Sequence, residues 1–276
     1  MSGFFEIKRK ILTKHTSKGG VPGGHEVICD KGKPPFVPPM KECHSIQLRC
    51  SDVVVDIGAY CGTYALRAAR FPVKKVIAFE PTEGTFGVLK KNAGDLPNLE
   101  VRRAAVVGDD RKNVRLFVSS GIGVTNSLIG KKKSTHEDVP AERYEDAVRG
   151  ASVVKIDVEG AEYDYNVVQS GIRALIIDFH PVAGMDWEQS SRKMIESIES
   201  AGFSVVVKPD FSNGWTRAGS WIREVETSGC CEELLGGSMC CGCGAAIRGR
   251  GKSLCLACWD AWSPKDRQLF SLAKVI

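Results

Sequence analysis

Short apolar runs alternate with amphipathic segments through the middle of the chain, and this alternation restricts the fold more than any other feature of the sequence. The predicted strands are residues 53–56, 75–80, 99–107, 114–118, 153–157, 174–180, 203–207 and 220–225. The predicted helices are residues 63–71, 82–92, 161–170 and 187–201, and residues 121–139 are predicted as a loop. Strands that are apolar on both faces are typical of parallel sheets covered by helices on both sides. The alternation therefore predicts a doubly wound, mostly parallel α/β sheet.

Composition divides the chain into three parts. Residues 1–50 contain glycine and proline pairs and are predicted to be a leader or lid. Residues 51–227 are predicted to form the α/β domain, and residues 228–276 a cysteine-rich segment with a C-terminal helix. No apolar run approaches the roughly 18 residues that span a bilayer, and the start of the sequence does not resemble a secretory signal. These observations predict a cytoplasmic protein. The net charge of +5 is below that expected of a dedicated nucleic-acid-binding protein.

A glycine-containing turn follows the first predicted strand. Residues 56–62 read D-I-G-A-Y-C-G, and glycine permits a tight turn and a close approach of backbone N–H groups to a ligand. Ligands of doubly wound sheets bind beyond the carboxyl ends of the strands, where the strand order reverses. We therefore predict that a ligand contacts Asp56, Gly58, Ala59 and Gly62.

An acidic residue, Glu80, ends the second predicted strand 22 residues after Gly58. A carboxylate at this place can accept hydrogen bonds from both hydroxyls of a ribose, although a solvated strand end would look the same. A dinucleotide site would have a second glycine where this chain has Tyr60, so that a pyrophosphate could bind at the helix N-terminus. The turn thus favours a nucleoside ligand without a phosphate. Asp109 or Asp110 is predicted to contact the adenine amino group or to belong to a hydrophilic turn.

Residues 154–162 read V-K-I-D-V-E-G-A-E and resemble the FkbM-type methyltransferase family. Five other segments resemble the same family in the same order: residues 56–62, 79–81, 104–109, 114–121 and 176–181. In the last of these, the family more usually has a glutamate at the position of Asp178. The resemblance covers about residues 51–210. It implies an S-adenosylmethionine (SAM)-dependent methyltransferase with the seven-stranded class I, Rossmann-like sheet, in which the final strand runs antiparallel. It also implies a hydroxyl oxygen as methyl acceptor, with a small molecule or a glycan-like hydroxyl favoured.

Three candidate catalytic residues follow the carboxyl ends of neighbouring predicted strands: Asp157, Glu159 and His180. Holding the acceptor in line with an activated methyl group supplies much of the rate acceleration, and a general base assists a hydroxyl acceptor. Asp157 is expected to contact cofactor or acceptor, and Glu159 to bind the acceptor or act as the base. His180 is either catalytic or structural, and Glu162 either contributes to the site or caps the following helix.

Seven of the eleven cysteines lie between residues 230 and 258. Cys240 and Cys243 form one C-x-x-C pair, and Cys255 and Cys258 form a second. Four thiolates with this spacing are typical of a structural Zn²⁺ site, although Cys241 offers an alternative partner for Cys243. The metal would provide the core of a small zinc ribbon, because so short a segment has too few apolar residues to fold alone.

Two further hypotheses stay open. The basic residues of the predicted ribbon and of segment 131–133 suit contacts with DNA or RNA phosphates, as in a nucleic-acid methyltransferase. A non-catalytic protein would keep the fold and use the ribbon as an adaptor for a partner. The acidic residues at the expected site, Asp56, Glu80, Asp157 and Glu159, disfavour the adaptor.

Overall fold

The described α/β part of the chain contains ten strands and four helices. The computed structural model describes residues 45–71, 73–118, 128, 135–212 and 217–223, and the short strands Ser238–Met239 and Ala246–Ile247. Strands β1 to β10 are, in chain order, Val53–Ile57, Lys75–Phe79, Leu99–Arg102, Ala105–Val107, Asn113–Val118, Thr135–Arg143, Val153–Ile156, Ala174–Asp178, Ser204–Val207 and Ala218–Ile222. Helices α1 to α4 are Thr63–Ala69, Glu83–Ala93, Tyr144–Ala147 and Trp187–Ser200, and a 3-10 turn spans Ala161–Asp164.

Seven strands form one sheet in the order β3-β2-β1-β7-β8-β10-β9. Strands β3, β2, β1, β7 and β8 pair in parallel, and β10 runs antiparallel to both of its neighbours. The chain continues from β1 toward β2 on one side, and β7 later pairs with the other side of β1. This reversal of strand order lies at the carboxyl ends of β1 and β7, where such sheets form a ligand-binding crevice.

Each face of the sheet has its own hydrophobic cluster. Val54, Val76 and Ile176 pack on one face with the buried residues of α1. Their neighbours in the strands point the opposite way, so that Val55 and Ile77 pack on the other face with residues of α3 and α4. Burial on both faces explains why the strands are continuously apolar in the sequence. The predicted doubly wound, mostly parallel class I methyltransferase sheet is confirmed.

The prediction of one strand over residues 99–107 was wrong. Strand β3 ends at Arg102, and β4 begins at Ala105 in a separate three-stranded sheet with the order β4-β6-β5. Part of the predicted loop 121–139 also belongs to this sheet, because β6 begins at Thr135. The sequence of β6 is polar since most of its side chains are exposed or half-buried, whereas Val139 is fully buried. Its hydrophobic pattern is therefore too weak to indicate a strand.

The prediction of a helix over residues 161–170 was also wrong. Only a 3-10 turn forms at Ala161–Asp164, and Tyr165 is extended. The Tyr165 ring is buried and stacks on Tyr144, with the ring centroids 4.9 Å apart. The Tyr165 hydroxyl donates a hydrogen bond to the carbonyl oxygen of Val106, at 2.8 Å. These long-range contacts outweigh local helix propensity, which is a weak determinant.

The α/β packing begins before residue 51. Ile46 and Leu48 are buried in the hydrophobic cluster that contains α1. Arg173 forms a buried ion pair with Asp52, at 2.5 Å, and also donates to the carbonyl oxygen of Gln47, at 2.8 Å. The last residues of the predicted leader therefore belong to the core of the domain.

Two short strands are described in the cysteine-rich segment. Ser238–Met239 and Ala246–Ile247 pair antiparallel as β11 and β12. The four predicted zinc ligands, Cys240, Cys243, Cys255 and Cys258, lie outside the described residues. The zinc ribbon and its metal stay a prediction. Within the described residues, no helix combines the length and apolarity needed to cross a membrane.

Candidate active site at the carboxyl edge of the sheet

The turn after β1 is held by hydrogen bonds within the protein. The N–H groups of Gly58 and Ala59 both donate to the carbonyl oxygen of Phe79 in β2, at 3.1 and 2.8 Å. The N–H of Gly62 donates to the carbonyl oxygen of Ala59, at 2.8 Å. A Cβ on Gly58, which has a φ of +79°, would lie 1.8 Å from the carbonyl oxygen of Asp157. The lack of a side chain at residue 58 therefore allows the β1 turn to contact the β7 loop directly.

Asp56 is fully buried, and its carboxylate contacts both α1 and β7. It accepts a hydrogen bond from the N–H of Ala65 in the first turn of α1, at 3.1 Å. It also accepts one from Lys155 Nζ, at 3.1 Å. Burial raises the pKa of Asp56, although the charge and hydrogen bond of Lys155 act against this rise. The carboxylate therefore joins the end of β1 to α1 and to Lys155 of β7, and its contact with a ligand stays a prediction.

The turn fits a nucleoside without a phosphate better than it fits a dinucleotide. A dinucleotide fold places its pyrophosphate against N–H groups at a helix N-terminus. Here the Asp56 carboxylate already accepts from the first turn of α1, and its negative charge disfavours a phosphate nearby. The N–H groups of Gly58, Ala59 and Gly62 already donate hydrogen bonds to carbonyl oxygens of the protein. These contacts fit SAM, which has a ribose and a sulfonium but no phosphate.

Glu80 lies at the carboxyl end of β2, and 7% of its surface is exposed. Its two carboxylate oxygens accept the N–H groups of Tyr60 and Thr82, each at 3.0 Å. Burial raises the pKa of Glu80 to about 7, although hydrogen bonds from the backbone and side chain of Thr82 and from the N–H of Tyr60 act against the rise. A carboxylate oxygen has a second lone pair after accepting one bond. Glu80 thus fixes the turn and can still accept the hydroxyls of a ribose.

Asp157, Glu159 and His180 lie together at the carboxyl ends of β7 and β8. One ligand atom from each of the three side chains lies within 4.8 Å of the others. His180 Nε2 is 3.7 Å from Asp157 Oδ1 and 3.6 Å from Glu159 Oε1. Asp178 Oδ2 lies 3.8 Å from the same nitrogen. The structure therefore brings together the three residues that the sequence predicts as catalytic, next to the turn after β1.

Glu162 holds His180 and the loop that carries Glu159. Its side chain is fully buried, and one oxygen accepts the His180 N–H at 2.6 Å and lies 3.3 Å from His180 Nδ1. The other oxygen accepts the N–H of Gly160, at 2.8 Å. Burial lowers the pKa of His180, but hydrogen bonding and charge from Glu162, with the charges of Asp157 and Asp178, raise it to about 10. The imidazole is therefore protonated at neutral pH when no other cation binds there.

Lys155 lies between Asp56 and the cluster of Asp157, Glu159 and His180. Its Nζ lies 3.1 Å from Asp56 and 3.4 Å from Asp157 Oδ2, and 5% of its side chain is exposed. The sequence left Glu162 open as either a site residue or a helix cap, and it did not single out Lys155. The signal that could have identified both is residues 154–162, where they flank the two predicted catalytic acids.

Asp109 differs from the other candidate residues in its place in the fold. It follows β4 of the three-stranded sheet, and 52% of its side chain is exposed. Arg111 pairs with its carboxylate, with Nε at 2.6 Å, and this pairing lowers the pKa of Asp109. Its contact with adenine stays a prediction.

Comparison with known proteins gives one family match. Residues 56–205 match the model of the methyltransferase FkbM domain. No curated protein sequence matches the chain. Similar solved structures include precorrin-6y C5,15-methyltransferase from Geobacter metallireducens GS-15, with 13% identity, a TM-score of 0.40 and 70% of this chain and 92% of that chain covered. An rRNA methylase from Streptococcus thermophilus has 13% identity and a TM-score of 0.39, with 68% and 95% covered. The fibrillarin pre-rRNA processing protein from Methanococcus jannaschii has 12% identity and a TM-score of 0.40, with 81% and 99% covered.

The matched segment spans more than half of the chain and contains the glycine turn, Glu80 and the three clustered catalytic candidates. The sheet around it has the seven strands and the antiparallel final strand that the resemblance implies. The chain belongs to the FkbM methyltransferase family and is a SAM-dependent methyltransferase.

Proposed function

We propose that the protein transfers the methyl group of SAM to a hydroxyl oxygen of a small molecule or glycan, bound at Asp157, Glu159 and His180. The observation that carries this proposal is the convergence of the three side chains, with ligand atoms within 4.8 Å of one another. They lie at the carboxyl ends of β7 and β8, beside the reversal of strand order at β1. A hydroxyl group suits this cluster because it can donate to a carboxylate and accept from an imidazole.

The cofactor lies against the turn after β1 in this proposal. The backbone of Gly58, Ala59 and Gly62 lines the cofactor, and Glu80 accepts the ribose hydroxyls. Asp56 positions the turn through its contacts with α1 and Lys155. When bound, SAM supplies a methyl group that its positively charged sulfur already activates.

The acceptor is oriented by the cluster, and its proton is removed there. Glu159 is the general base, and Asp157 and His180 position the acceptor oxygen. The oxygen–carbon bond forms as the carbon–sulfur bond breaks, the electron pair stays on sulfur, and the hydroxyl proton passes to the Glu159 carboxylate. Since the methyl group is already activated, the chain contributes mainly positioning and proton removal.

The described crevice favours an uncharged or cationic acceptor over a nucleic acid. Asp157, Glu159 and Asp178 surround His180 Nε2, and three carboxylates around one imidazole disfavour a phosphate there unless a metal cation offsets their charge. Segment 131–133 and the basic residues of the predicted ribbon lie outside the described residues. A nucleic-acid acceptor and a cytoplasmic location stay predictions.

We expect Glu159→Gln to lower kcat for methyl transfer by about 10²–10⁴-fold, the usual contribution of a general base. The dissociation constant for SAM should stay within about twofold of the parent value, because Glu159 serves the acceptor. Labelled methyl transfer into fractionated cell extract identifies the acceptor pool, and the purified acceptor then gives kcat. Asp146→Asn, at an exposed carboxylate of α3 paired with Arg149, is the matched control. Parent-level kcat in Glu159→Gln would show that Glu159 is not the base.

A further inference from the structure

The cluster at the ends of β7 and β8 combines an imidazole with carboxylates in a partly open place. His180 is buried, with 9% of its surface exposed. The side chains of Asp157 and Glu159 are 35% and 22% exposed. The cluster thus combines a buried imidazole with two partly exposed carboxylate side chains.

One carboxylate orients the His180 ring, and three other carboxylates lie near the opposite edge of the ring. Glu162, which is fully buried, lies 3.3 Å from Nδ1 and also accepts the backbone N–H of His180. On the opposite edge of the ring, Nε2 lies 3.6 to 3.8 Å from Glu159, Asp157 and Asp178. These separations exceed hydrogen-bond distance. Nε2 thus points into the cluster without a hydrogen bond to any residue that the structure describes.

This arrangement is the one that metal-binding histidines adopt. A histidine that ligates a metal through one nitrogen almost always presents its other nitrogen to a carboxylate or carbonyl. Glu162 holds that position for His180, and its second oxygen accepts the N–H of Gly160, next to Glu159. One buried residue therefore positions two of the converging side chains.

We propose that Asp157, Glu159 and His180 bind one divalent cation of the Mn²⁺ type, and that the acceptor hydroxyl completes its coordination. The cation site stands on the geometry alone, whereas the placement of the acceptor on it rests on the proposed function. His180 binds the cation through Nε2, the nitrogen on the side of the ring that faces Asp157 and Glu159. The cation also withdraws electron density from the hydroxyl, so that the proton passes more readily to the Glu159 carboxylate.

The separations between side chains fit a six-coordinate cation after small movements. With metal–ligand bonds of about 2.1 Å, adjacent ligands lie roughly 3 Å apart and opposite ligands roughly 4.2 Å apart. The distances from Nε2 to Asp157 and Glu159, 3.7 and 3.6 Å, lie between these limits. Carboxylates suit Mg²⁺ and Mn²⁺, and imidazole suits the first-row transition metals. The mixed set therefore favours Mn²⁺ over Mg²⁺.

The test is a calorimetric titration of the full chain, stripped with EDTA, with MnCl₂ alone. We expect one Mn²⁺ site that is lost in both Asp157→Asn and Glu159→Gln and kept in Asp146→Asn. Glu162→Gln should weaken Mn²⁺ binding about 10–100-fold, the usual effect of removing a partner of a ligating histidine. A second Mn²⁺ site on the cysteine-rich segment would be unchanged in all of these variants.

Circular dichroism melting verifies that each variant is folded before its titration is interpreted. The absence of Mn²⁺ binding to the parent would overturn the proposal. Binding that stays unchanged in the folded Asp157→Asn and Glu159→Gln variants would overturn it too.

A second measurement separates this inference from the proposed function. Methyl transfer by the EDTA-treated parent should fall at least about tenfold and return when Mn²⁺ is added. If transfer to a hydroxyl survives EDTA and Mn²⁺ does not bind, the cation is wrong and the proposed function stands. If Mn²⁺ binds through Asp157 and Glu159 but the methyl group is found on another kind of atom, the acceptor class is wrong and the cation site stands.

Discussion

Gly58→Ala is expected to destabilise the protein by about 3–5 kcal/mol, the range of the most disruptive single substitutions. The new Cβ would lie 1.8 Å from the carbonyl oxygen of Asp157 and 2.8 Å from its carbonyl carbon. Both are backbone atoms at the end of β7, so the clash can be relieved only by moving a strand end or the turn. The φ of +79° adds strain, because a residue with a side chain rarely adopts it. Urea unfolding measures the loss of free energy.

Gly87→Ala is the matched control for this experiment. Gly87 lies within α2, and a Cβ there would have no atom within 4 Å among the described residues. Alanine in a helix is favoured over glycine by about 0.5–1 kcal/mol, so the control should be as stable as the parent or slightly more stable. If Gly58→Ala is also neutral, the turn does not contact the β7 loop as closely as the structure shows.

Lys155→Met is expected to cost about 3–5 kcal/mol, because it leaves the buried Asp56 carboxylate without its cation. Both partners are almost completely buried, and Nζ lies 3.1 Å from Asp56 and 3.4 Å from Asp157. Burial raises the pKa of Asp56 already in the parent. Without Lys155 that tendency strengthens, and Asp56 must remain charged at a high cost or bind a proton. Chemical unfolding at neutral pH gives the magnitude.

A double variant distinguishes the loss of an ion pair from a loss of packing. Asp56→Asn keeps an oxygen that can accept the N–H of Ala65. Asp56→Asn combined with Lys155→Met should therefore be more stable than Lys155→Met alone. With Asp56→Asn alone completing the cycle, the coupling energy of the two residues should be about 1–3 kcal/mol. Lys75→Met is the surface control, since its ion pair with Glu100 is about 40% exposed and should be worth at most about 1 kcal/mol. A double variant no more stable than Lys155→Met would contradict the pairing.

The sequence predicted the parts of the site that depend on local chain geometry. The turn at Gly58 and Gly62 and the acid at Glu80 occupy fixed places at the ends of strands, so the alternation of strands and helices located them. Asp157 and His180 were predicted to lie close together for the same reason, because β7 and β8 end at the same edge of the sheet. Strand periodicity and the parallel arrangement were sufficient for these predictions.

The parts that the sequence did not predict depend on contacts between distant segments. Glu162 was expected at the start of a helix, but its partners are His180 and the backbone of Gly160. Lys155 alternates with apolar residues in a strand, and only the pairing of β7 with β1 places it against Asp56. The helix expected after residue 161 was replaced by extended chain for the same reason, since Tyr165 bonds across to Val106. Periodicity carries no information about such pairs.

A titration with SAM at two pH values tests whether the β1 turn and Glu80 bind SAM. The pKa of Glu80 is raised to about 7 by burial, so its carboxylate is mostly protonated at pH 6 and mostly ionised at pH 8. Ribose hydroxyls donate to the ionised form, so affinity for SAM should rise about tenfold between these pH values, relative to Glu80→Gln. NAD⁺ should bind much more weakly than SAM at both pH values, because Asp56 disfavours a pyrophosphate at α1. Three results would show that the β1 turn and Glu80 do not bind SAM in this way: no binding of SAM, equal pH dependence in Glu80→Gln, or tighter binding of NAD⁺ than of SAM.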